Sequence, residues 1–281
     1  MREFGLDVPV GRIHGLRWGE PGQPRVLALH GWLDNAASFV PLAPRLHGID
    51  LVAPDLPGHG RSAHQPRGTD YSFAGAVHHV LDIADALGWE RFSLLGHSMG
   101  AGMSSLVAAG APDRIERLVA IEALGALPET VERTVERLRK AVAATRALPS
   151  KRLRVFPQLE PAIRARMQAN GLGEASARLL VERGVSEVEG GFAWNSDPRL
   201  TLPTMVRMTA EQIDALVTGI ECPTRVIYAT PPQPYLPEPD RSRRAGLLPD
   251  GELILVPGGH HLHMEDPAAV ATAIGDFLSA P

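Results

Sequence analysis

Residues 91–100 read RFSLLGHSMG, a short apolar run followed by a motif of the form G-x-S-x-G. The small residues of Ala101–Leu106 favour a helix, so the motif stands between a buried strand and a helix. Glycines two positions before and after Ser98 remove side chains that a sharp turn would bring into collision. The pattern therefore predicts a strand, a tight turn and a helix, with the Ser98 hydroxyl exposed at the turn.

Composition and charge restrict the class of protein. The chain has 281 residues, of which 44% are hydrophobic, enough for one large domain or a core with an inserted subdomain. A net charge of -4, from 28 basic and 32 acidic side chains, gives no field that would attract nucleic acid or an anionic membrane. We therefore expect neither partner.

The cysteine content and the N-terminus predict the compartment. Cys222 is the single cysteine and has no internal disulfide partner, and Met1–Gly5 lacks the apolar region of a signal peptide. No stretch reaches the roughly 18 uncharged apolar residues of a membrane span. We therefore expect a cytoplasmic protein.

Short apolar runs alternate with helical patterns along most of the chain. Strands are predicted at Phe4–Val8, Arg12–Trp18, Val26–Leu29, Leu51–Pro54, Phe92–Leu95, Ile115–Ile121, Thr224–Ala229 and Glu252–Val256. Helices are predicted over Ser72–Leu87, from Ser98 to about Ala109, and over Ala268–Leu278. This alternation predicts an α/β fold with a mostly parallel sheet and helices on both faces.

Residues 124–208 break the alternation. They contain helical patterns at Glu129–Leu148, Glu160–Gln168 and Glu174–Arg183, and no convincing buried strand. We therefore predict a core domain formed by residues 1–123 and 209–281, with a helical insertion at 124–208. The basic cluster Lys151–Arg154 is interpreted as solvated surface, because a short cluster among many glutamates forms no extended positive stripe.

A second glycine turn follows the strand Val26–Leu29, at His30-Gly31-Trp32. The glycine lets the backbone turn so that the amide of Trp32 points into a cavity. Together with the amide of Met99, at the start of the helix after Ser98, it predicts two donors for the oxyanion of a tetrahedral intermediate. A tight turn that places Trp32 in the core is the structural alternative.

Residues 258–267 read GGHHLHMEDP and follow the strand Glu252–Val256. His260 comes directly after two glycines, and this exposed position makes it the candidate general base for Ser98. A metal site formed by His260, His261 and His263 would lack a cysteine or a well-spaced carboxylate, so no metal is predicted. We expect His261 to have a packing or supporting role, and His263 to form a local hydrogen bond.

Taken in order, these motifs resemble the α/β-hydrolase superfamily over nearly the whole chain. The resemblance rests on His30-Gly31-Trp32, on D-x-x-G-x-G-x-S at residues 55–62, on the turn at Ser98 and on Gly259-His260. Residues 30–35 and 192–200 further resemble the branch called serine-hydrolase-like proteins. The resemblance implies an eight-stranded sheet and a helical cap inserted after the sixth strand, which matches the insertion at residues 124–208.

The third catalytic residue departs from the usual pattern of this superfamily. The acid usually follows the seventh strand, but the corresponding loop has no carboxylate before Glu238. A minority, including several haloalkane dehalogenases, uses an acid after the sixth strand, where Glu122 stands here. A glutamate after an apolar strand is costly to bury unless it is paired, which favours a partner such as His260. Glu122 is therefore the predicted acid, and Glu238 and Asp240 are the alternatives.

A serine at the turn suits acyl transfer, whereas dehalogenases and epoxide hydrolases of this superfamily attack with an aspartate. We therefore expect a serine hydrolase, a carboxylesterase, that cleaves small, mainly apolar esters through an acyl-enzyme on Ser98 and needs no cofactor. The residues expected to line the substrate pocket are Trp32, His97, Leu202 and Met205.

Several alternatives remain open at this level. Hydrolysis of lactones, thioesters, amides or carbon–carbon bonds uses the same residues, and some superfamily members are small-molecule receptors that retain the triad. The sequence also leaves open whether the chain forms a homodimer.

Overall fold

The structure is a computed structural model that describes residues 1–148 and 154–280. Its strands are β1 (Arg2–Val8), β2 (Gly11–Trp18), β3 (Arg25–Leu29), β4 (Asp50–Pro54), β5 (Phe92–His97), β6 (Ile115–Ile121), β7 (Val155–Phe156), β8 (Val185–Val188), β9 (Gly191–Trp194), β10 (Thr224–Thr230) and β11 (Gly251–Pro257). Its helices are α1 (Ala76–Ala86), α2 (Met99–Gly110), α3 (Thr134–Ala147), α4 (Leu159–Asn170), α5 (Glu174–Gly184), α6 (Ala210–Thr218), α7 (Asp240–Ala245), α8 (Leu262–Glu265) and α9 (Pro267–Ile274).

Eight strands form the main sheet in the order β1-β2-β4-β3-β5-β6-β10-β11. β2 pairs antiparallel with β1 and with β4, and the remaining neighbours in the sheet pair in parallel. Each of the eight strands predicted from the sequence is a strand of this sheet. The predicted α/β fold with a mostly parallel sheet is therefore confirmed.

Both faces of the sheet are buried, which explains the near-continuous apolar runs of its strands. Neighbouring residues of β5 point to opposite faces and enter different apolar clusters. Leu94 shares a cluster with Val80 of α1 and Ile213 of α6, whereas Leu95 shares one with Val270 of α9. Within the described residues, no helix is both long enough and apolar enough to cross a membrane.

The turn between β5 and α2 depends on its two glycines. Ser98 has φ 52° and ψ −117°, which is a strained conformation for a residue with a side chain. A Cβ atom on Gly96 would lie 2.4 Å from Ala101 Cα, and one on Gly100 would lie 2.0 Å from the Leu29 carbonyl oxygen. The G-x-S-x-G spacing is therefore a steric requirement of this turn.

Residues 124–208 lie between β6 and β10, the sixth and seventh strands of the main sheet in chain order. The helices α3, α4 and α5 occupy the three helical patterns predicted there, and α4 and α5 pack around Phe156, Ile163 and Leu180. Residues 149–153, which include most of the basic cluster Lys151–Arg154, lie outside the described residues.

The insertion also contains strands that the sequence analysis did not predict. β7, β8 and β9 form a small antiparallel sheet in the order β7-β9-β8. These strands are two to four residues long, and β8 is mostly exposed. Strands this short carry no apolar run or clear alternation that a sequence pattern could reveal.

Replacing Gly100 with alanine is expected to destabilise the fold. The added methyl group would lie 2.0 Å from the Leu29 carbonyl oxygen, so the turn or β3 must shift. We expect the free energy of unfolding to fall by about 1–3 kcal/mol, measured by urea denaturation. Gly110→Ala, at the other end of α2, is the matched control, because a Cβ there meets no atom of the described chain within 4 Å. Equal stability of the two variants would contradict the steric account.

Candidate active site

Backbone strain is concentrated at one edge of the main sheet. In the described part of the chain, the non-glycine residues with positive φ are Leu33 at 57°, Ser98 at 52° and Glu122 at 60°. Leu33 lies in the loop after β3, and Ser98 and Glu122 follow β5 and β6 directly. A left-handed backbone at a non-glycine residue costs of order 1–3 kcal/mol and is found mainly at functional sites. This edge is therefore the candidate active site.

Three side chains at this edge form a continuous chain of contacts. Ser98 Oγ lies 2.9 Å from His260 Nε2, and His260 Nδ1 lies 3.1 Å from Glu122 Oε2. Both distances are within the range for proton transfer and for orienting a base. The structure thus brings together the three residues that the sequence analysis selected as nucleophile, base and acid.

The position of Glu122 is fixed by both of its carboxylate oxygens. The side chain is buried, with 3% of its surface exposed. Oε1 accepts a hydrogen bond from the Ala229 amide at the end of β10, at 2.5 Å, and Oε2 faces His260. The carboxylate is therefore held between the backbone of β10 and the imidazole ring.

The two alternative acids have other surroundings. Glu238 Oε1 accepts a hydrogen bond from Arg241 Nε at 2.5 Å, and its other oxygen accepts one from the Ser242 amide at 3.3 Å. Asp240 is exposed at the start of α7. The contacts of Glu238 are thus local to α7, whereas those of Glu122 lead to His260.

Tyr235 also contacts His260, and the sequence analysis did not find it. Its hydroxyl lies 2.6 Å from His260 Nδ1 and 3.5 Å from Nε2, and the two rings meet edge to face at 89°. Burial and the negative charge of Glu122 raise the pKa of Tyr235, so the phenol stays neutral. The loop after β10 has no carboxylate before Glu238, and an aromatic residue in this proline-rich segment was the available signal.

The loop after β3 is anchored by His30. His30 Nε2 accepts a hydrogen bond from the Leu56 amide at 3.0 Å, so Nδ1 carries the proton and donates it to the Gly31 carbonyl at 2.8 Å. β3 lies beside β5 in the sheet, and Met99 is the first residue of α2. An amide in the first turn of a helix has no acceptor within that helix. The amides of Trp32 and Met99 remain the predicted oxyanion donors.

The expectation that His97 lines the substrate pocket was wrong. Its side chain is completely buried, and Nε2 donates to the carbonyl oxygen of His260 at 2.8 Å. Residues next to each other at the end of a strand point in opposite directions, so the turn that exposes Ser98 buries its neighbour. His97 therefore packs behind the loop that carries His260 and does not face the substrate.

The other predicted pocket residues are at least partly accessible. Trp32 is 52% exposed and Met205 is 37% exposed, while Leu202 is half-buried. The Trp32 indole donates to the Leu200 carbonyl oxygen at 2.9 Å. This bond places an accessible aromatic surface beside the segment that carries Leu202 and Met205.

A layer of buried polar residues lies behind His260. The ring of His97 is 3.9 Å from that of His263 and 5.1 Å from that of His261, measured between centroids. Burial and neighbouring imidazoles lower the pKa of His97 well below its usual value, and burial with the charge of His261 lowers that of His263 to about 3. Both rings are therefore neutral near neutral pH.

The carboxylate of this layer is Asp34, which forms a buried ion pair with Arg166 of α4. Burial alone would raise the pKa of Asp34. The neighbouring His261 imidazole, whose Nε2 lies 3.4 Å from Asp34 Oδ2, and the charge of Arg166 outweigh burial and hold the pKa well below its usual range. Asp34 is thus ionised, and it ties the loop after β3 to the insertion.

Asp55, the first residue of the D-x-x-G-x-G-x-S motif, also connects loops of the core to the insertion, as Asp34 does. Its Oδ1 accepts hydrogen bonds from the Ala36 amide and from Arg183 of α5, both at 2.8 Å, and Oδ2 accepts one from the Arg61 amide at 2.9 Å. One buried carboxylate therefore joins the loops after β3 and β4 to the insertion.

Comparison with known proteins identifies the family. The family described as alpha/beta hydrolase fold matches residues 24–167. A serine hydrolase-like protein from Danio rerio is 32% identical over 98% of this chain and 88% of its own length. The crystal structure of a hypothetical protein from Pseudomonas aeruginosa is 41% identical, with a TM-score of 0.92 over 99% of this chain and 98% of that chain. The thioesterase domain from the curacin biosynthetic pathway is 28% identical, with a TM-score of 0.85 over 98% of this chain and 99% of that chain.

These likenesses, together with the eight-stranded sheet, show that the chain belongs to the α/β-hydrolase family. Within that family it is a serine-hydrolase-like protein.

The contacts of Ser98 predict that its hydroxyl reacts with a fluorophosphonate probe. His260 can accept the Oγ proton at 2.9 Å while the oxygen attacks phosphorus. Mass spectrometry of proteolytic peptides should find the label on Ser98, and Ser98→Ala should remove it. Ser186→Ala, which changes an exposed serine of β8, is the control and should label like the wild type. A label on any other serine would refute the assignment.

Proposed function

We propose that this hydrolase is a carboxylesterase that cleaves esters of small, mainly apolar acyl groups through an acyl-enzyme on Ser98. The observation that carries the proposal is the chain of contacts from Ser98 Oγ through His260 to Glu122, at 2.9 Å and 3.1 Å. It combines a nucleophile on a strained turn with a base and a buried acid that orients the base.

In the proposed acylation step, Ser98 Oγ attacks the carbonyl carbon of the ester while its proton passes to His260 Nε2. The carbonyl oxygen becomes an oxyanion, for which the amides of Trp32 and Met99 are the proposed donors. Glu122 keeps the proton of His260 on Nδ1 and stabilises the imidazolium that forms. The imidazolium then protonates the leaving alcohol, and the acyl group stays on Ser98.

In the deacylation step, water replaces the alcohol. His260 Nε2 takes a proton from the water molecule as its oxygen attacks the acyl carbon, and a second oxyanion forms in the same place. Its collapse returns the proton to Ser98 and releases the carboxylic acid. His260 Nε2 therefore accepts and then donates one proton in each of the two steps.

The proposed substrate class rests on the accessible apolar residues that we assign to the substrate pocket. Trp32 and Met205 are apolar and exposed, and neighbouring Val206 is 72% exposed. Apolar surface favours acyl groups that leave water easily, and a charged acyl group would lose its hydration without compensation. A series of p-nitrophenyl esters tests this by kcat/KM, with a succinyl ester as the anionic comparison. Faster hydrolysis of the succinyl ester than of the butyryl ester would refute the apolar preference.

Thioester hydrolysis is the second candidate, and the likeness to the curacin thioesterase domain favours it. The same three residues would perform it, because only the leaving atom changes from oxygen to sulfur. The test compares an ethyl ester with the N-acetylcysteamine thioester of the same acyl group, each corrected for its uncatalysed rate. A rate enhancement larger for the thioester by tenfold or more would transfer the proposal to thioesters.

Glu122→Gln is expected to abolish most of the activity while the protein stays folded. An amide cannot stabilise the imidazolium, and replacing a triad acid by its amide lowers kcat by on the order of 10⁴-fold. Steady-state kinetics measures the loss. Glu238→Gln and Asp240→Asn are the matched controls and should remain within about twofold of the wild type. Activity lost in Glu238→Gln and kept in Glu122→Gln would assign the acid to the loop before α7.

Tyr235→Phe is expected to lower kcat far less than Glu122→Gln. The substitution removes one neutral hydroxyl contact to His260, and a hydrogen bond of that kind contributes about 0.5–1.5 kcal/mol, or about a two- to twelvefold change in rate. Kinetics with the same ester measures both variants. A loss as large as that of Glu122→Gln would show that the phenol shares the role of the acid.

A further inference from the structure

Three buried side chains, two from loops and one from the end of a strand, meet behind His260. Asp34 follows β3, His97 ends β5 and His261 follows β11, and their exposed fractions are 1%, 0% and 5%. Among the described residues, Asp34 Oδ2 and His97 Nδ1 have no hydrogen-bond partner, although both atoms are buried. Buried polar atoms normally have a partner, so the group requires an explanation.

The protonation of His97 follows from its other nitrogen. Nε2 lies 2.8 Å from the carbonyl oxygen of His260, and a carbonyl cannot donate, so Nε2 carries the proton. Nδ1 of the neutral ring is then a lone pair, and it faces Asp34 Oδ2 at 3.7 Å. Two buried acceptors that face each other call for a donor or a cation between them.

The spacing of these atoms fits a cation. Asp34 Oδ2 lies 3.7 Å from His97 Nδ1 and 3.4 Å from His261 Nε2, and the three atoms all lie within 4.8 Å of one another. A tetrahedral zinc ion with bonds of roughly 2.0–2.2 Å holds its ligand atoms about 3.4 Å apart. One carboxylate oxygen with two imidazole nitrogens is also a donor set that suits Zn²⁺ and its neighbours in the transition series.

The surroundings hold these atoms as metal ligands are usually held. The second nitrogen of His97 donates to a backbone carbonyl, and the second oxygen of Asp34 pairs with Arg166. A Cβ on Gly31 would lie 2.9 Å from Asp34 Oδ2 and 3.0 Å from His97 Nδ1, so the glycine keeps that side of both atoms uncovered.

We propose that Asp34 Oδ2, His97 Nδ1 and His261 Nε2 form a binding site for one divalent transition-metal ion, with Zn²⁺ as the best match. The site is separate from Ser98 and Glu122, but it adjoins His260 through the His97 hydrogen bond and through the peptide bond to His261. Ligation would bring His97 Nδ1 and Asp34 Oδ2 from 3.7 Å to about 3.4 Å, and the hydrogen bond from His97 to the His260 carbonyl passes this shift to the loop that carries His260. A bound ion therefore inhibits hydrolysis, and this consequence, unlike the binding itself, rests on the proposed function.

The direct test is metal binding to the chelator-treated full chain. Co²⁺ is the probe, because its visible absorption reports tetrahedral coordination, and Zn²⁺ displacement of Co²⁺ gives the zinc affinity. The wild type is expected to bind one ion, and His261→Asn and Asp34→Asn should each weaken binding by at least tenfold. His47→Asn is the matched control, because His47 is exposed, and it should bind like the wild type. Circular dichroism verifies that each variant is folded.

Two results would overturn the proposal. The first is absence of the Co²⁺ spectrum in the wild type. The second is binding that His260→Asn removes and a folded His261→Asn keeps, which would place the ion at Ser98 and Glu122 instead.

The inhibition has its own test. Zn²⁺ should slow ester hydrolysis by the wild type and by His47→Asn, and its effect on His261→Asn should be at least tenfold weaker. Equal inhibition of all three proteins would contradict control of His260 through this site. A chain that binds the ion but hydrolyses neither esters nor thioesters would refute the proposed function and leave the metal site standing.

Discussion

The parallel pairing of β5, β6 and β10 is the constraint on which the candidate site depends. The pairing continues one residue beyond the strands: the Ser98 amide donates to the Ile121 carbonyl at 2.8 Å, and the Glu122 amide donates to the Ile227 carbonyl at 2.9 Å. Parallel strands end at the same edge, so the residues that follow them become neighbours. A slip of one residue would move Ser98 by about 3.3 Å along the strand, enough to break its contact with His260.

This dependence explains why so much of the fold could be predicted from the sequence. A strand buried on both faces must be apolar along its length, as Leu94 and Leu95 show by entering opposite layers of the core. The small sheet β7-β9-β8 could not be predicted, because its strands are short and β8 is mostly exposed. A strand buried on both faces can be predicted from its apolar run, whereas a short exposed strand has no such run.

In the candidate site, too, some residues could be predicted from sequence motifs and others depend on the direction in which the backbone points a side chain. Ser98 stands in a motif whose glycines are a steric requirement of the turn, so its place could be predicted, and His260 was found through the resemblance of Gly259-His260 to the family motif. The burial of His97 depends on which way a side chain leaves the turn, and residue types alone do not give that direction. Tyr235 carries no charge, so the pattern of acidic residues does not indicate it, although its hydroxyl lies 2.6 Å from His260 Nδ1.

Tyr235 and Glu122 both contact His260 Nδ1, from the loop after β10 and from the end of β6. β10 contributes a backbone donor, the Ala229 amide at 2.5 Å from Glu122 Oε1, and the loop after β10 contributes the neutral phenol of Tyr235 beside His260 Nδ1. A second carboxylate in place of the phenol would stand close to Glu122, and two like charges at one imidazole raise the pKa of one of the acids. A neutral hydroxyl avoids this repulsion and still offers the ring a polar contact. A neutral hydroxyl next to His260 is therefore compatible with a carboxylate after β6.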